Sequence, residues 1–138
     1  MAESLKLTLV TPYKKVLEED VDEITATGSL GEFGILPGHA PFLSSLKIGE
    51  FTYKIGGKVE HMAVNWGYFE IEDDKVTVLV ETAEMAQDID VERAKAAEKR
   101  AEEALKKLTP EDKSYKIMEA ALERALIRVQ VASKAARK

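Results

Sequence analysis

The sequence contains no cysteine, so disulfide bonds, thiolate nucleophiles and cysteine-ligated zinc sites are excluded. Its only two histidines, His39 and His61, lack the tight spacing of metal ligands, so no metal site and no catalytic group is predicted. No apolar run approaches the roughly 18 residues that a membrane-spanning helix requires. The first residues also lack the basic and apolar stretches of a signal peptide. These absences favour a cytoplasmic protein.

Charge is unevenly distributed along the chain, whose formal net charge is −5. Residues 1–91 hold 7 Lys and Arg against 17 Asp and Glu, whereas residues 92–138 hold 13 against 8. This asymmetry predicts two segments that meet different partners. The basic tail could bind nucleic acid, anionic lipid or an acidic protein surface. Its interleaved acids and its single aromatic residue, Tyr115, leave no stacking platform for bases, so no nucleic-acid partner is expected.

The first part of the chain has the two-residue periodicity of β-strands. Leu5, Leu7 and Leu9 alternate with other residues, and the run 75–80 is β-branched and apolar. All eight glycines and three of the four prolines lie in this part, at the spacing of turns. Many short strands with frequent turns predict an antiparallel sandwich or barrel.

After about residue 89 the periodicity becomes that of a helix, with apolar residues three and four positions apart. Asp90 is suited to cap a first helix. Thr109 is suited to cap a second one, with Pro110 at its first position. A short turn between two helices predicts an antiparallel hairpin. The alanine-rich contact face of the first helix offers little apolar area, so this hairpin is suited to undock.

The segment GSLGEFGILPGHAPFL, from Gly28 to Leu43, has closely spaced glycine and proline turn positions. It resembles the signature of the epsilon subunits of bacterial F-type ATP synthases, and the similarity continues through residues 64–70 and 76–79 into the helices. The resemblance implies an α+β fold: an N-terminal antiparallel β-sandwich of about ten strands in residues 1–85, followed by a C-terminal two-helix hairpin in residues 86–138. The tripeptide at 65–67, Asn-Trp-Gly, departs from the family's usual small residue followed by two glycines.

The function that this resemblance implies is mechanical. The sandwich would bind the gamma subunit and rest on the c-subunit ring of a proton-translocating ATP synthase, with Glu32 and His39 at the end that meets the ring. The hairpin would either lie against the sandwich or extend along gamma into the catalytic hexamer of alpha and beta subunits, where it blocks ATP hydrolysis. Such a subunit needs no cofactor and no catalytic group. It would be peripheral, held at the cytoplasmic face of the bacterial inner membrane through the complex only.

A second group of residues resembles the ATP-binding motif of some epsilon subunits. Its members are Glu84, Ile89, Asp90, Arg93, Ala94, Arg124 and Arg128. By this resemblance the three arginines would converge on phosphates when the hairpin is folded, and the two acids would accept hydrogen bonds from ribose or adenine. ATP would then be a regulatory ligand. In the alternative interpretation, Asp90 is only a helix cap and the arginines form salt bridges with Glu84 and Asp90.

A free-standing nucleotide-binding regulatory module, outside any motor, is the alternative function. Co-purification with a gamma subunit would separate it from the stalk subunit.

Overall fold

The structure, a computed structural model, describes residues 3–135; the first two and the last three residues of the predicted domain ranges lie outside it. The described residues form eight strands, one short 3-10 helix and two α-helices. They are β1 (Leu5–Val10), β2 (Lys15–Val21), β3 (Glu23–Gly28), β4 (Gly31–Ile35), β5 (Phe42–Leu46), β6 (Gly49–Ile55), β7 (Lys58–Glu72), β8 (Lys75–Met85), the 3-10 helix (Ala86–Asp88), α1 (Val91–Lys106) and α2 (Tyr115–Ala132). Within this range no helix is long and apolar enough to cross a membrane.

The strands form a sandwich of two layers, and β7 and β8 run through both. The first layer has the order β2-β1-β8-β7-β5, and the second has the order β8-β7-β6-β3-β4. The predicted fold class, a β-sandwich followed by two helices, is confirmed. Residues 3–135 contain eight strands rather than about ten, because β7 and β8 each supply a segment to both layers. The pairing of β1 with β8 is parallel, whereas the other pairings are antiparallel.

The core lies between the layers and follows the alternation of the strands. The side chains of Leu5, Leu7 and Leu9 are fully buried, as are Phe51 from the second layer and Phe69 from the first. Neighbours in the strands point outward, since successive residues of a strand face opposite sides. The sandwich is therefore stabilised by one shared apolar cluster, all of whose members lie on strands.

β7 and β8 change layer at Trp66 and Gly67. Trp66 has a φ of 41°, in the left-handed region, and the pairing of β7 with β8 is interrupted there and resumes at Gly67. A β-carbon at Gly67 would lie 1.9 Å from the backbone oxygen of Leu79. Only glycine allows this approach of the two strands. The left-handed conformation of Trp66 also explains why a glycine is usual at that position in the pattern that the sequence resembles.

The first helix begins as predicted. The backbone N–H of Arg93 donates to the Asp90 carboxylate at 3.1 Å, which satisfies a donor that the first helical turn leaves free. The prediction that Thr109 opens the second helix was wrong, because α2 begins at Tyr115. The N–H of Thr109 donates to the Asp112 carboxylate at 2.8 Å, and the N–H of Asp112 donates to the Thr109 carbonyl at 2.9 Å. These bonds close a turn of their own within the connection between the two helices, so Thr109 does not cap α2.

The hairpin lies against the sandwich through a second, smaller apolar cluster. The C-terminal half of α2 contacts β6, β7 and the 3-10 helix. The buried members of the cluster are Ala63, Ala86, Ile89, Ala94, Val131 and Ala132. Most of them are alanines, which bury little area each. The far end of the hairpin projects away, and Ile117 there is 62% exposed.

Replacing Gly67 by Ala should lower the free energy of unfolding by about 3 kcal/mol, because the new methyl group overlaps the backbone of β8. Gly34→Ala is the matched control, since the nearest atom to a β-carbon at Gly34 is 3.9 Å away. It should change the stability by less than about 1 kcal/mol. Denaturant unfolding of both variants checks this; equal stabilities would contradict the proposed close approach.

Candidate functional site

The surface that receives the hairpin contains a row of three residues on adjacent strands of the second layer. Ala63 on β7 is paired with Glu84 on β8 and with Glu50 on β6. We call Glu84, Ala63 and Glu50 the docking row. Because neighbouring strands are about 4.8 Å apart, the two carboxylate-bearing residues are separated by about 10 Å across the sheet, with a methyl group between them.

A basic residue of α2, Arg128, and one in the turn just after it, Lys134, pair with the ends of the docking row. Arg128 donates to Glu84 in a bidentate arrangement, from Nε to Oε1 at 2.7 Å and from Nη2 to Oε2 at 3.1 Å. Lys134 Nζ donates to Glu50 Oε1 at 2.7 Å, and His61 Nδ1 donates to Glu50 Oε2 at 2.6 Å. The two carboxylates of the docking row therefore accept the hydrogen bonds that hold the hairpin against the sandwich.

The end of α2 and the turn after it span the row. From Arg128 to its last residue, Ala132, the helix advances about 6 Å, and the turn that follows brings Lys134 to Glu50. Val131 lies between Arg128 and Lys134 in the chain and is 1% exposed, in the same apolar cluster as Ala63. This segment thus crosses the strands with a charged, an apolar and a charged contact in order.

The contacts that hold the hairpin against the sandwich are only partly buried. The side chains of Glu84 and Arg128 are 37% and 25% exposed, so water screens their attraction. The bidentate geometry makes this pair stronger than a typical surface pair. The alanine-rich cluster adds little apolar burial.

A groove between α1 and α2 contains three arginines, Arg100, Arg124 and Arg128. Its volume is about 410 Å³, and the rest of its lining is four alanines and one methionine. We call it the arginine groove. Guanidinium groups gathered without an acid in the lining suit a phosphate or carboxylate ligand. Arg100 was not predicted as a site residue. It lies three positions after Ala97, an alanine of α1 that also lines the groove, and therefore on the same side of the helix.

The predicted nucleotide-binding residues are only partly brought together. Glu84, Arg124 and Arg128 line one small cavity of about 30 Å³ beneath α2. Arg93 is exposed, and no described groove or cavity has it in its lining. Asp90 serves as the cap of α1, as the alternative interpretation had it.

The two apolar members of the predicted motif have a packing role. Ile89 is 6% exposed and Ala94 is fully buried, and both belong to the cluster beneath α2. They fix the base of α1 against the sandwich. The same cavity also exposes Asn65, which the sequence analysis did not predict as a site residue.

Glu32 and His39 lie away from the docking row, in the turn-rich segment. Glu32 is an exposed residue of β4. His39 Nδ1 donates to the carbonyl of Ala40 at 2.7 Å, and its ring contacts that of Phe42 edge-on at 5.7 Å between centroids. The N–H of Gly38 donates to the Asp74 carboxylate at 2.7 Å. Among residues 3–135 no three acidic or histidine side chains form a group that could hold a metal ion.

The outer surface of the first layer has an apolar face. Trp66, Tyr68 and Leu79 are 44%, 61% and 51% exposed, and Tyr68 is paired directly with Leu79. They border a concave region of about 420 Å³ that Val10 and Pro12 complete. We call this the apolar face. Contiguous exposed apolar side chains of this kind mark a surface that a protein partner covers.

Comparison with known proteins gives one consistent result. A family model described as "ATP synthase, Delta/Epsilon chain, beta-sandwich domain" matches residues 4–86, and one described as "ATP synthase, Delta/Epsilon chain, long alpha-helix domain" matches residues 87–133. The chain is 77% identical over 138 residues to the ATP synthase epsilon chains of Geobacter sulfurreducens and of Geobacter metallireducens, with each chain covered completely.

A solved structure has the same fold. It is a chain in the cryo-EM structure of Euglena gracilis mitochondrial ATP synthase, OSCP/F1/c-ring in rotational state 1. The TM-score is 0.80 at 26% sequence identity, over 91% of this chain and 79% of that chain.

Replacing Glu84 by Gln should weaken docking of the hairpin, because Arg128 loses its bidentate charged partner. At about 1 kcal/mol for this partly exposed pair, the amides of residues 125–132 should exchange about fivefold faster with solvent deuterium. Glu18→Gln is the control, since it breaks the Lys15–Glu18 pair, whose side chains are 55% and 50% exposed and lie on β2. Equal exchange in both variants would show that Glu84 does not hold α2.

Proposed function

The chain belongs to the ATP synthase delta/epsilon chain family, and on that premise we propose that it is the epsilon subunit of the F1 central stalk, which couples rotation and inhibits ATP hydrolysis through its hairpin. The resemblance noted for Gly28 to Leu43 is confirmed by the matches to the family models and to the epsilon chains. The subunit is a stalk and regulatory part of the complex, not its catalytic part. Because the similarity spans both the sandwich and the hairpin, it favours a motor subunit over a free-standing module.

The gamma subunit docks on the apolar face of the sandwich. Large, partly exposed side chains surround a concave region there: Trp66, Tyr68 and Leu79. The centres of protein–protein interfaces are built in this way. Glu70 and Glu81 are exposed on the same strands, so the rim carries negative charge. A partner with an apolar centre and basic rim fits this face best.

The c-subunit ring meets the turn-rich segment that carries Glu32 and His39. Support comes from the exposure of Glu32 on β4 and from the way His39 and Asp74 hold the neighbouring loop. A loop fixed by its own hydrogen bonds presents Glu32 at low entropic cost, which suits a polar contact that transmits torque. The subunit is thereby peripheral to the membrane, at the cytoplasmic face of the bacterial inner membrane.

The observation that carries the inhibitory role is the weak attachment of the hairpin to the sandwich. Two ion pairs and an alanine-rich cluster hold it, whereas the sandwich has its own core. Release of α2 therefore leaves the sandwich folded. The freed helix exposes Arg124, Arg128 and Lys134, which favour an acidic surface of the alpha and beta hexamer.

ATP is the regulatory ligand of the docked hairpin. The arginine groove supplies the cationic contacts for its phosphates, and Glu84 in the neighbouring cavity supplies an acceptor. Because the groove and the cavity exist only between packed elements, a ligand there stabilises the docked state by its differential affinity. ATP thus opposes inhibition, and no permanently bound cofactor is required.

Replacing Leu79 by Glu should weaken gamma binding at least about 30-fold, because a charge enters the centre of the interface. Leu79 is already 51% exposed, so the free subunit should fold normally. Ile55→Glu is the control: Ile55 is 40% exposed at the end of β6, outside the apolar face, and this change should leave gamma affinity unaltered. If affinity measurements with purified gamma show no difference between the variants, the docking face lies elsewhere.

Removing residues from Pro110 onward should raise ATP hydrolysis by the assembled motor about fivefold or more at low ATP, because the blocking helix is gone. ATP synthesis should change less, since the proposed coupling contacts lie in the sandwich. Parallel assays of hydrolysis and synthesis on the same membranes check this. Unchanged hydrolysis would contradict an inhibitory arm.

A further inference from the structure

Asn65 is a buried polar residue whose side-chain oxygen lacks a partner. It lies on β7 just before the layer crossing and is 8% exposed. Its Nδ2 donates a long hydrogen bond, 3.5 Å, to Glu81 Oε1, which sets the orientation of the amide. Its Oδ1 is fully buried and accepts no hydrogen bond from any residue in the range 3–135. A buried acceptor left unpaired destabilises the arrangement that buries it.

Asn65 lines the small cavity beneath α2, together with Thr82, Glu84, Arg124 and Arg128. With a volume of about 30 Å³, the cavity fits one amino or hydroxyl group and not a whole ring. Three of its lining side chains can accept hydrogen bonds: the Asn65 amide oxygen, the Thr82 hydroxyl and the Glu84 carboxylate. A group that donates hydrogen bonds is therefore the chemistry that it accommodates.

The cavity and the arginine groove are neighbours, because Arg124 and Arg128 line both. Arg128 donates to Glu84 through Nε and Nη2, so its Nη1 can still donate to an anion. A single ligand that carries an anionic group and a neutral hydrogen-bond donor can thus bind the arginines of the groove and the acceptors of the cavity at the same time.

We propose that Asn65 is the hydrogen-bond acceptor that recognises a neutral donor of a nucleotide whose phosphates lie in the arginine groove. The proposal rests on the regulatory ATP binding described above and adds to it a recognition residue. Two groups of ATP have this chemistry, the exocyclic amine of adenine and the ribose hydroxyls. Asn65 also links recognition to docking, since it lines a cavity that α2 closes.

Calorimetric titration of the full chain tests the proposal with ATP, ITP, 2′-deoxy-ATP and 3′-deoxy-ATP on the wild type, Asn65→Ala and Thr77→Ala. Asn65→Ala should lower ATP affinity about tenfold, the effect of one lost hydrogen bond in a closed site. Thr77→Ala is the control, because Thr77 is an exposed residue of β8 that lines neither the arginine groove nor the cavity. It should bind ATP as the wild type does.

The analogues identify the donor. If the adenine amine is recognised, ITP should bind the wild type about tenfold more weakly than ATP, and Asn65→Ala should cause no further loss with ITP. If a ribose hydroxyl is recognised, one of the deoxy nucleotides should behave in this way instead. In either case the loss of binding affinity is assigned to a single chemical group of the ligand.

Two results would overturn the proposal while leaving ATP regulation intact. One is unchanged ATP affinity in Asn65→Ala. The other is an equal loss for ATP and every analogue, which would indicate a structural effect. Absence of ATP binding to the wild type would refute both this inference and the regulatory role of ATP, whereas gamma docking and the inhibitory hairpin would stand on their own tests.

Discussion

The contact between β7 and β8 where both strands change layer is the constraint on which the rest of the structure depends. At Gly67 the backbones approach so closely that no side chain fits, and Trp66 takes a left-handed conformation beside it. On one side of this crossing the two strands present Ala63 and Glu84 to the hairpin. On the other side they present Tyr68 and Leu79 outward. One strand pair therefore fixes both the docking row and the apolar face, and it fixes their relative position.

The two parts of the molecule differ in how firmly they are held. The sandwich buries large aliphatic and aromatic side chains between its layers, and no helical residue belongs to that cluster. The hairpin relies on alanines and on partly exposed ion pairs at Glu84 and Glu50. This difference suits a subunit in which one part must stay attached to rotating neighbours while the other part moves. The docking row and the basic side chains that contact it lie at the boundary between the two parts.

Local features were predictable from the sequence, and long-range ones were not. The alternation of Leu5, Leu7 and Leu9 and the cap at Asp90 depend on neighbouring residues, and the structure contains both. The predicted start of the second helix was wrong, because the carboxylate of Asp112 closes a local turn that competes with a helical cap.

The contacts of the candidate site depend on tertiary packing. Glu84 and Arg128 are 44 residues apart in the chain, so periodicity alone could not choose between a salt bridge and a phosphate contact for Arg128. The resemblance supplied Arg124 and Arg128, but Arg100 and Asn65 became visible only once the helices and the layer crossing were placed. The count of about ten strands came from the resemblance, and residues 3–135 contain eight because β7 and β8 each serve both layers.

The contacts of the docking row constrain how the hairpin can move. If α2 slid along its axis by one turn, about 5.4 Å, Arg128 would lose its bidentate bonds to Glu84, and the turn that carries Lys134 would move away from Glu50. Val131 would leave the apolar cluster that contains Ala63 at the same time. Release of the hairpin, as proposed, would therefore break these contacts together, so a motor that carries it would meet a seated or a released hairpin and no graded series between them.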